Sequence, residues 1–235
     1  ARSVSSSDPS DAVVRTLRGA DVVLFSVPDD VIAIGARRVA DLTGGIRGIA
    51  AHGAGASDLE VLAPHDRRGS VHPLVSLPHP EIGAQRLLDR CDFAIDGDPM
   101  MAGVVASRGG RSFVVSADRR AAYHAAASIA ANHLVALCAQ VEAIAALAEV
   151  PVDAYWRLMS TTLDNVSSVG PAAAITGPAA RGDWATLRRH LDALPVDERD
   201  LYIEAAARAA RLVGRSLPDD VVTSERLSPP VSDDA

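Results

Sequence analysis

The sequence predicts an α/β domain followed by an all-α domain, on three observations. Up to Ser116, short apolar runs bounded by Gly, Pro and polar residues alternate with stretches of helical spacing. Those runs are apolar throughout rather than at every second position, the pattern of parallel strands covered on both faces. After Ser116 no strand pattern recurs, and long stretches free of Gly and Pro read as helices. The expected layout is an α/β domain over residues 1–117, a helical domain over 118–214, and a polar, Ser- and Pro-containing mobile tail over 215–235.

Each element has its own signal. Residues 1–11 are polar and Ser-rich and read as a loop, with a helical turn at 13–18. Residues 21–27 (DVVLFSV) form a buried strand stopped by Pro28, and 31–42 follow with helical spacing. A second strand at 46–51 runs into His52-Gly53-Ala54-Gly55, and a short helix is expected at 58–63. A third strand at 70–77 contains His72-Pro73; two more are expected at 91–95 and 112–115, with a helix at 99–107 between them. Helices are expected at 119–149, 152–166, 184–194 and 197–213, the third capped by Asp183.

The 119–149 stretch is the most informative. It has neither Gly nor Pro and would extend about 45 Å as one helix. It is apolar nearly all round, which predicts burial in a domain or homodimer core. Against that background His124, Ser128 and Asn132 recur every four residues and so share a face. Buried polar groups need partners, so the row is either an internal hydrogen-bond network or the wall of a site.

Composition narrows the chemistry. The chain has 235 residues, is 48% apolar and carries a formal net charge of −7. An acidic balance with scattered basic residues argues against nucleic acid or an anionic membrane as partner. No uninterrupted apolar run reaches the roughly 18–20 residues that span a bilayer, and no basic-then-apolar leader opens the chain, so a cytoplasmic protein is expected. Cys91 and Cys138 form neither a disulfide framework nor a metal-ligand spacing, and the acidic residues show no metal pattern, so no metal site is expected. The basic residues are all arginines. Without lysine there is no Schiff base and no lysine proton donor, and proton transfer falls to His, Asp, Glu, Tyr, Cys or water. A dinucleotide-binding sheet normally opens with a strand, a G-x-G-x-x-G turn and a helix. No such turn is present, and one β-α-β unit of about 35 residues is expected ahead of Ala1.

Several segments, in this order, resemble one family: ADVVLFSVPD at 20–29, AHGAG at 51–55, VHPL at 71–74, YHAAASIAAN at 123–132 and GPAAAITGPAARGD at 170–183, with His190 and Leu194 beyond. Together they resemble proteins with paired Rossmann-like and DUF2520 domains, similar in layout to ketopantoate reductase, pyrroline-5-carboxylate reductase and the 6-phosphogluconate dehydrogenase superfamily. The resemblance implies a Rossmann-like α/β domain, here lacking its first β-α-β unit, and an NAD(P)H-dependent reductase of a small 2-oxo acid such as ketopantoate. It leaves as alternatives an imine reductase and a non-catalytic nucleotide or metabolite sensor on the same scaffold.

Site residues follow from position. Ligands of α/β sheets lie beyond the carboxyl ends of the strands. Ser26, Val27 and Pro28 end the first strand, and His52 and Gly53 the second, so they are expected at the cofactor, although a strand stop and a tight turn would look the same. Arg2 and Ser3 suit a 2′-phosphate and favour NADP(H) over NAD(H). His72 could donate to a substrate carbonyl or serve as a backbone-bonded structural histidine. His124 could protonate the alkoxide formed by hydride delivery, with Asn132 holding its oxygen and Ser128 assisting. Asn165 and Arg181 are expected at the substrate carboxylate, unless Arg181 merely pairs with Asp183.

Overall fold

The computed structural model describes residues 11–223, residue 90 excepted; Arg2 and Ser3 thus lie outside the described residues. The chain divides into two compact units, one ending at Leu134 and one beginning at Val135. Strand content stops where the sequence says it does, but the first turns of the long helix belong with the sheet.

The first unit holds α1 (Asp11–Arg18), β1 (Val22–Phe25), α2 (Ile32–Thr43), β2 (Ile49–His52), β3 (Arg68–Pro73), α3 (Pro80–Leu88), β4 (Asp92–Gly97), α4 (Met100–Ala106), β5 (Arg111–Val114) and α5 (Arg120–Ser128). The strands make one five-stranded sheet in the order β1-β2-β3-β4-β5. β1, β2 and β3 run parallel, β4 lies antiparallel to β3, and β5 is parallel to β4. The expected all-parallel sheet is therefore corrected at β4. Leu74 N donates to the Asp92 carbonyl at 2.8 Å, and Pro73 is paired with Phe93. The link carrying α3 thus leaves and re-enters at one edge of the sheet instead of crossing over it. The sequence reading assigns no helix there, yet Pro80 stands in the first turn of α3 with Glu81 beside it, a recognised start signal. The helix expected at 58–63 is a single 3-10 turn, Leu59–Leu62.

Side chains alternate across the sheet, and the two faces differ in chemistry. On one face Ile49, Ala51 and Ile95 pack with Met101 and Val105 of α4. On the other, Phe25 and Ala50 pack with Ile32 and Ala36 of α2. That second face also carries His52, Ser70 and Asp96, linked by the register His52↔Ser70↔Asp96, with His72 two residues beyond Ser70 on the same side. Helix α5 takes its place against this polar half.

From Ala117 to Leu147 the helix is continuous, but its hydrogen bonding changes at a π-turn, Ile129–His133, before α6 (Leu134–Leu147) resumes. Of the two expected covers, a domain core or a homodimer core, the first is corrected: only 11% of the helix's most apolar window is buried within the chain, and Ile129, Val135 and Leu147 are exposed. The expectation that no segment could span a bilayer is corrected too. By length and composition this helix is apolar enough, with a mean hydropathy of 1.5; the averaged value tolerates the Ser, Asn and His that interrupt an apolar run. Its start is docked on the sheet through Arg120, which is 1% exposed.

The second unit continues through α7 (Val152–Val169), the short α8 (Pro171–Ala174) and α9 (Pro178–Arg181), α10 (Trp184–Ala193), α11 (Val196–Leu212) and α12 (Asp219–Thr223). Its core joins Ala179, Leu187, Ala206 and Ala210, with Leu191, Ile203 and Val221 beside them. Asp183 caps α10 as expected, accepting from Thr186 N at 3.2 Å. Residues 219–223, read as tail, instead form a helical turn that buries Val221, with Asp220 accepting from Arg188 Nε at 2.7 Å.

One glycine sets how the sheet starts. Gly48 is buried where Ile49 N donates to the Asp21 carbonyl at 2.9 Å, and a Cβ there would run into the carbonyl oxygens of Ala20 and Asp21. Backbone cannot swing aside as a side chain can. Gly48→Ala is expected to cost about 2–3 kcal/mol, the upper part of the overpacking range, read as a lower urea midpoint with an unchanged denaturant slope.

Candidate functional site

The side chains that can do chemistry meet on the polar face, at the carboxyl edge of β1–β3. His72 Nδ1 and the Tyr123 hydroxyl are hydrogen-bonded at 2.6 Å. The Tyr123 ring stands edge-on to His72 at a centroid distance of 5.6 Å, and His124 stands edge-on to the other side at 6.0 Å. Phe113 backs Tyr123 at 5.9 Å. Both imidazoles crowd onto Gly55: a Cβ at that position would lie 2.5 Å from His124 Cδ2 and 2.9 Å from His72 Nε2. The second glycine of His52-Gly53-Ala54-Gly55 is therefore what lets the turn after β2 close on the two histidines.

Beneath them lies Arg120. Its Nη2 donates to Ser70 Oγ at 2.7 Å and to the Val115 carbonyl at 3.4 Å, and stands 3.6 Å from an Asp96 carboxylate oxygen. Its Nε and Nη1 are buried and have no hydrogen-bond partner among the described residues. Arg120, Tyr123 and the tie through Ser70 and Asp96 are absent from the sequence-based site. The signal was there: Arg120 is one step of four before His124, and extends the His124–Ser128–Asn132 row upstream.

Several expected site residues are placed differently. His52 is fully buried, and its ring is used internally: Ala54 N donates to Nδ1 at 3.2 Å, so Nε2 carries the hydrogen and donates to the Asp58 carbonyl at 3.1 Å. It shapes the turn with both ring nitrogens, which leaves its backbone, not its imidazole, for any contact with a cofactor. Ser26, Val27 and Pro28 form an exposed turn after β1, and Gly53 follows β2 at the same edge. Ser128 is half-buried and Asn132 is exposed in the π-turn; neither side chain hydrogen-bonds another described residue, so the internal network, one of the two readings of this row, is not formed among the described residues. In the second unit Asn165 is exposed on α7, and Arg181 is exposed at the end of α9. The pairing of Arg181 with Asp183 is not a direct contact; Asp183 accepts instead from Thr186 N and from Thr186 Oγ1, the latter at 2.8 Å. His190 is bonded to Tyr202 through Nδ1 at 2.6 Å, in keeping with a structural role.

Burial governs the protonation of this cluster. It lowers His72 below its ordinary value, and His124 and Arg120 add to the effect. It lowers His52 as well, against a smaller opposing contribution from the Asp58 carbonyl. Burial raises Tyr123, with Arg120 pulling the other way. Both histidines are thus held neutral, and Tyr123 keeps its proton. A hollow of about 280 Å³ lies at the opposite edge of the sheet, lined by Arg18, Asp21, Arg47, Gly48, Arg67 and Met100, remote from these groups.

The two lowered histidines make stability pH-dependent. In the unfolded chain both titrate near 6.5; in the folded chain they take up protons only at lower pH. Their contribution is complete above that value and is lost as pH falls below it, because the unfolded state then binds more protons. The urea midpoint is expected to fall between pH 7.5 and pH 5.5, with a shallower fall in His72→Gln.

Comparison with known proteins places this geometry. Residues 93–209 match the family described as a domain of unknown function, DUF2520. No curated protein matches the chain. Among solved structures, a Thermotoga maritima protein superposes with a TM-score of 0.68 at 26% identity, over 83% of this chain and 79% of that one. A Bacteroides fragilis protein named as a candidate NADP oxidoreductase gives 0.68 at 22% identity, over 82% and 76%. The pyrroline carboxylate reductase of Plasmodium falciparum, solved with NADP bound, gives 0.51 at 8% identity, over 85% and 80%. The chain is a Rossmann-like α/β unit followed by a helical region, with a DUF2520 match running from β4 into α11.

Proposed function

We propose that the protein is an NAD(P)H-dependent reductase of a small 2-oxo acid, with NADP(H) preferred and ketopantoate the first substrate to try. The observation that carries this reading is the His72–Tyr123 hydrogen bond at 2.6 Å, flanked by His124, at the carboxyl edge of parallel strands. That edge is where open α/β sheets bind their ligands. The Rossmann-like solved structures, two of them described through NADP, support the cofactor class.

The described residues fit the nicotinamide end of a dinucleotide. The turn Ser26-Val27-Pro28 is exposed, and a Cβ at Gly53 would meet only the Val71 carbonyl, at 3.7 Å. No Gly-rich phosphate turn stands among them. A nicotinamide cofactor bound there would supply the hydride. Delivery to a carbonyl leaves an alkoxide, a stronger base than a phenolate or an imidazole, and the protein must protonate it. Tyr123 gives its hydroxyl proton to that oxygen, while neutral His72 donates through Nδ1–H to the phenolate that forms. His124 holds the other side of His72 and presents its ring to the reacting carbonyl. Asn132 is a donor for the developing charge. A homodimer formed through the long apolar helix would cover its exposed face, with neither a membrane nor nucleic acid as partner.

The test is oxidation of NADPH by the purified protein with ketopantoate and other 2-oxo acids. Tyr123→Phe is expected to lower kcat about 10²–10⁴-fold, the range for a lost proton donor, and His124→Ala to lower it as well, through loss of the ring beside His72. Undiminished turnover in the Tyr123 and His124 variants would overturn the site; turnover of a cyclic imine alone would change the substrate class, and cofactor binding without turnover of either would make the protein a sensor.

A further inference from the structure

We propose that Arg120 is the positioning residue of the cluster: a buried cation docked on Ser70, two residues before His72, and one helical turn before Tyr123, whose charge disfavours a second cation at His72 and leaves Tyr123 as the group that hands over a proton. The inference deepens the reductase reading and rests on it for its catalytic meaning, but its electrostatic core stands apart from any activity.

The geometry points this way on three counts. First, Arg120 is 1% exposed, so its charge is little screened by water. Second, that charge is poorly matched. Nε and Nη1 have no partner among the described residues, the hydroxyl of Ser70 and the carbonyl of Val115 are neutral, and Asp96 stands 3.6 Å away with 21% of its side chain exposed. A buried donor without a partner is destabilising, and a sheet–helix contact that needed only packing would be served better by an apolar side chain. Third, Arg120 is on the same helix as Tyr123 and His124, one turn earlier, and donates to Ser70, which stands two residues before His72 on the same face of β3.

The groups around His72 are few. From α5 it faces Arg120, Tyr123 and His124; from β2, His52; from the turn after β1, Asp29. Asp96 on β4 reaches Arg120, not His72. Asp29 favours the imidazolium, while Arg120, His52 and His124 disfavour it, in line with burial. Neutral His72 can donate through Nδ1 to the Tyr123 oxygen, and Arg120 favours the phenolate against the burial that opposes it. The step balances: the Tyr123 O–H bond breaks, an O–H bond forms on the substrate alkoxide, and solvent later returns a proton to the phenolate.

The test is an NMR titration of the imidazoles in the intact protein, with His72 assigned by difference from His72→Gln and no substrate or cofactor added. Arg120→Met is expected to raise the His72 midpoint by about 0.5–1 pH unit, the size of one partly screened charge at this range. Arg120→Lys is expected to leave the midpoint near that of the parent. Asp96→Asn, which strips Arg120 of its counter-charge and is the variant to rely on if Arg120→Met fails to fold, is expected to lower it. An unmoved His72 midpoint in Asp96→Asn, or in a folded Arg120→Met, would overturn the proposal. The reductase reading would survive that result, since it is judged on turnover; conversely, the shifts would stand if no 2-oxo acid were turned over. With turnover in hand, Arg120→Met is expected to displace the acidic limb of the kcat profile upward with His72, and Arg120→Lys to restore it.

Discussion

The contact between Arg120 and the polar half of the sheet is the constraint on which the site depends. Alternation along β2, β3 and β4 puts His52, Ser70, His72 and Asp96 on one face, and a buried face of that composition cannot be closed by an apolar helix. Arg120 closes it, donating to Ser70 at 2.7 Å and reaching Asp96 at 3.6 Å. Because the guanidinium is fixed, the next turn of the helix is fixed as well, and Tyr123 and His124 arrive on the two sides of His72. Gly55 completes the arrangement from the neighbouring turn, since any side chain there would displace both imidazoles. The first unit therefore forms the cluster from its own residues, on strands and a helix rather than on loops.

How much of this was legible depends on the scale of the signal. The continuous apolar runs at DVVLF and the segments around Ile49 and Ala94 gave the strands, because burial on both faces leaves a local trace. Strand direction left none. Whether β4 runs with or against β3 is decided by where the α3 excursion re-enters the sheet, a non-local property, and so the antiparallel pair was missed. The length of the long helix was legible and its burial was not: the sequence shows an apolar surface, but not what covers it. Its π-turn is invisible to a count in fours, which placed Asn132 on the same buried row as His124. In the site, His72 and His124 were found by residue type and position. Tyr123 and Arg120 were passed over because a tyrosine and an arginine at a helix start resemble ordinary surface residues until the sheet beneath is seen to be polar. His52 shows the converse. A histidine at a strand end looks functional, yet its two nitrogens are spent on Ala54 and Asp58.

The absence of lysine gives the cluster its character. A lysine beside a reacting carbonyl is both a charge and a proton donor, because burial can bring its ammonium into the working range. Arginine keeps its proton and can serve only as the charge. On the proposed reading the two jobs are separated: Arg120 supplies a fixed positive field, and Tyr123, hydrogen-bonded to His72, supplies a proton that can be given and regained. That division needs the cation to be close to the phenol but barred from the substrate, and its 1% exposure meets the second condition while its place one turn before Tyr123 meets the first. The two unpartnered guanidinium nitrogens follow from the same logic. A carboxylate in full contact would offset the cost of burying the guanidinium, but it would also cancel the positive charge that adds to burial in disfavouring an imidazolium at His72 and opposes burial at Tyr123.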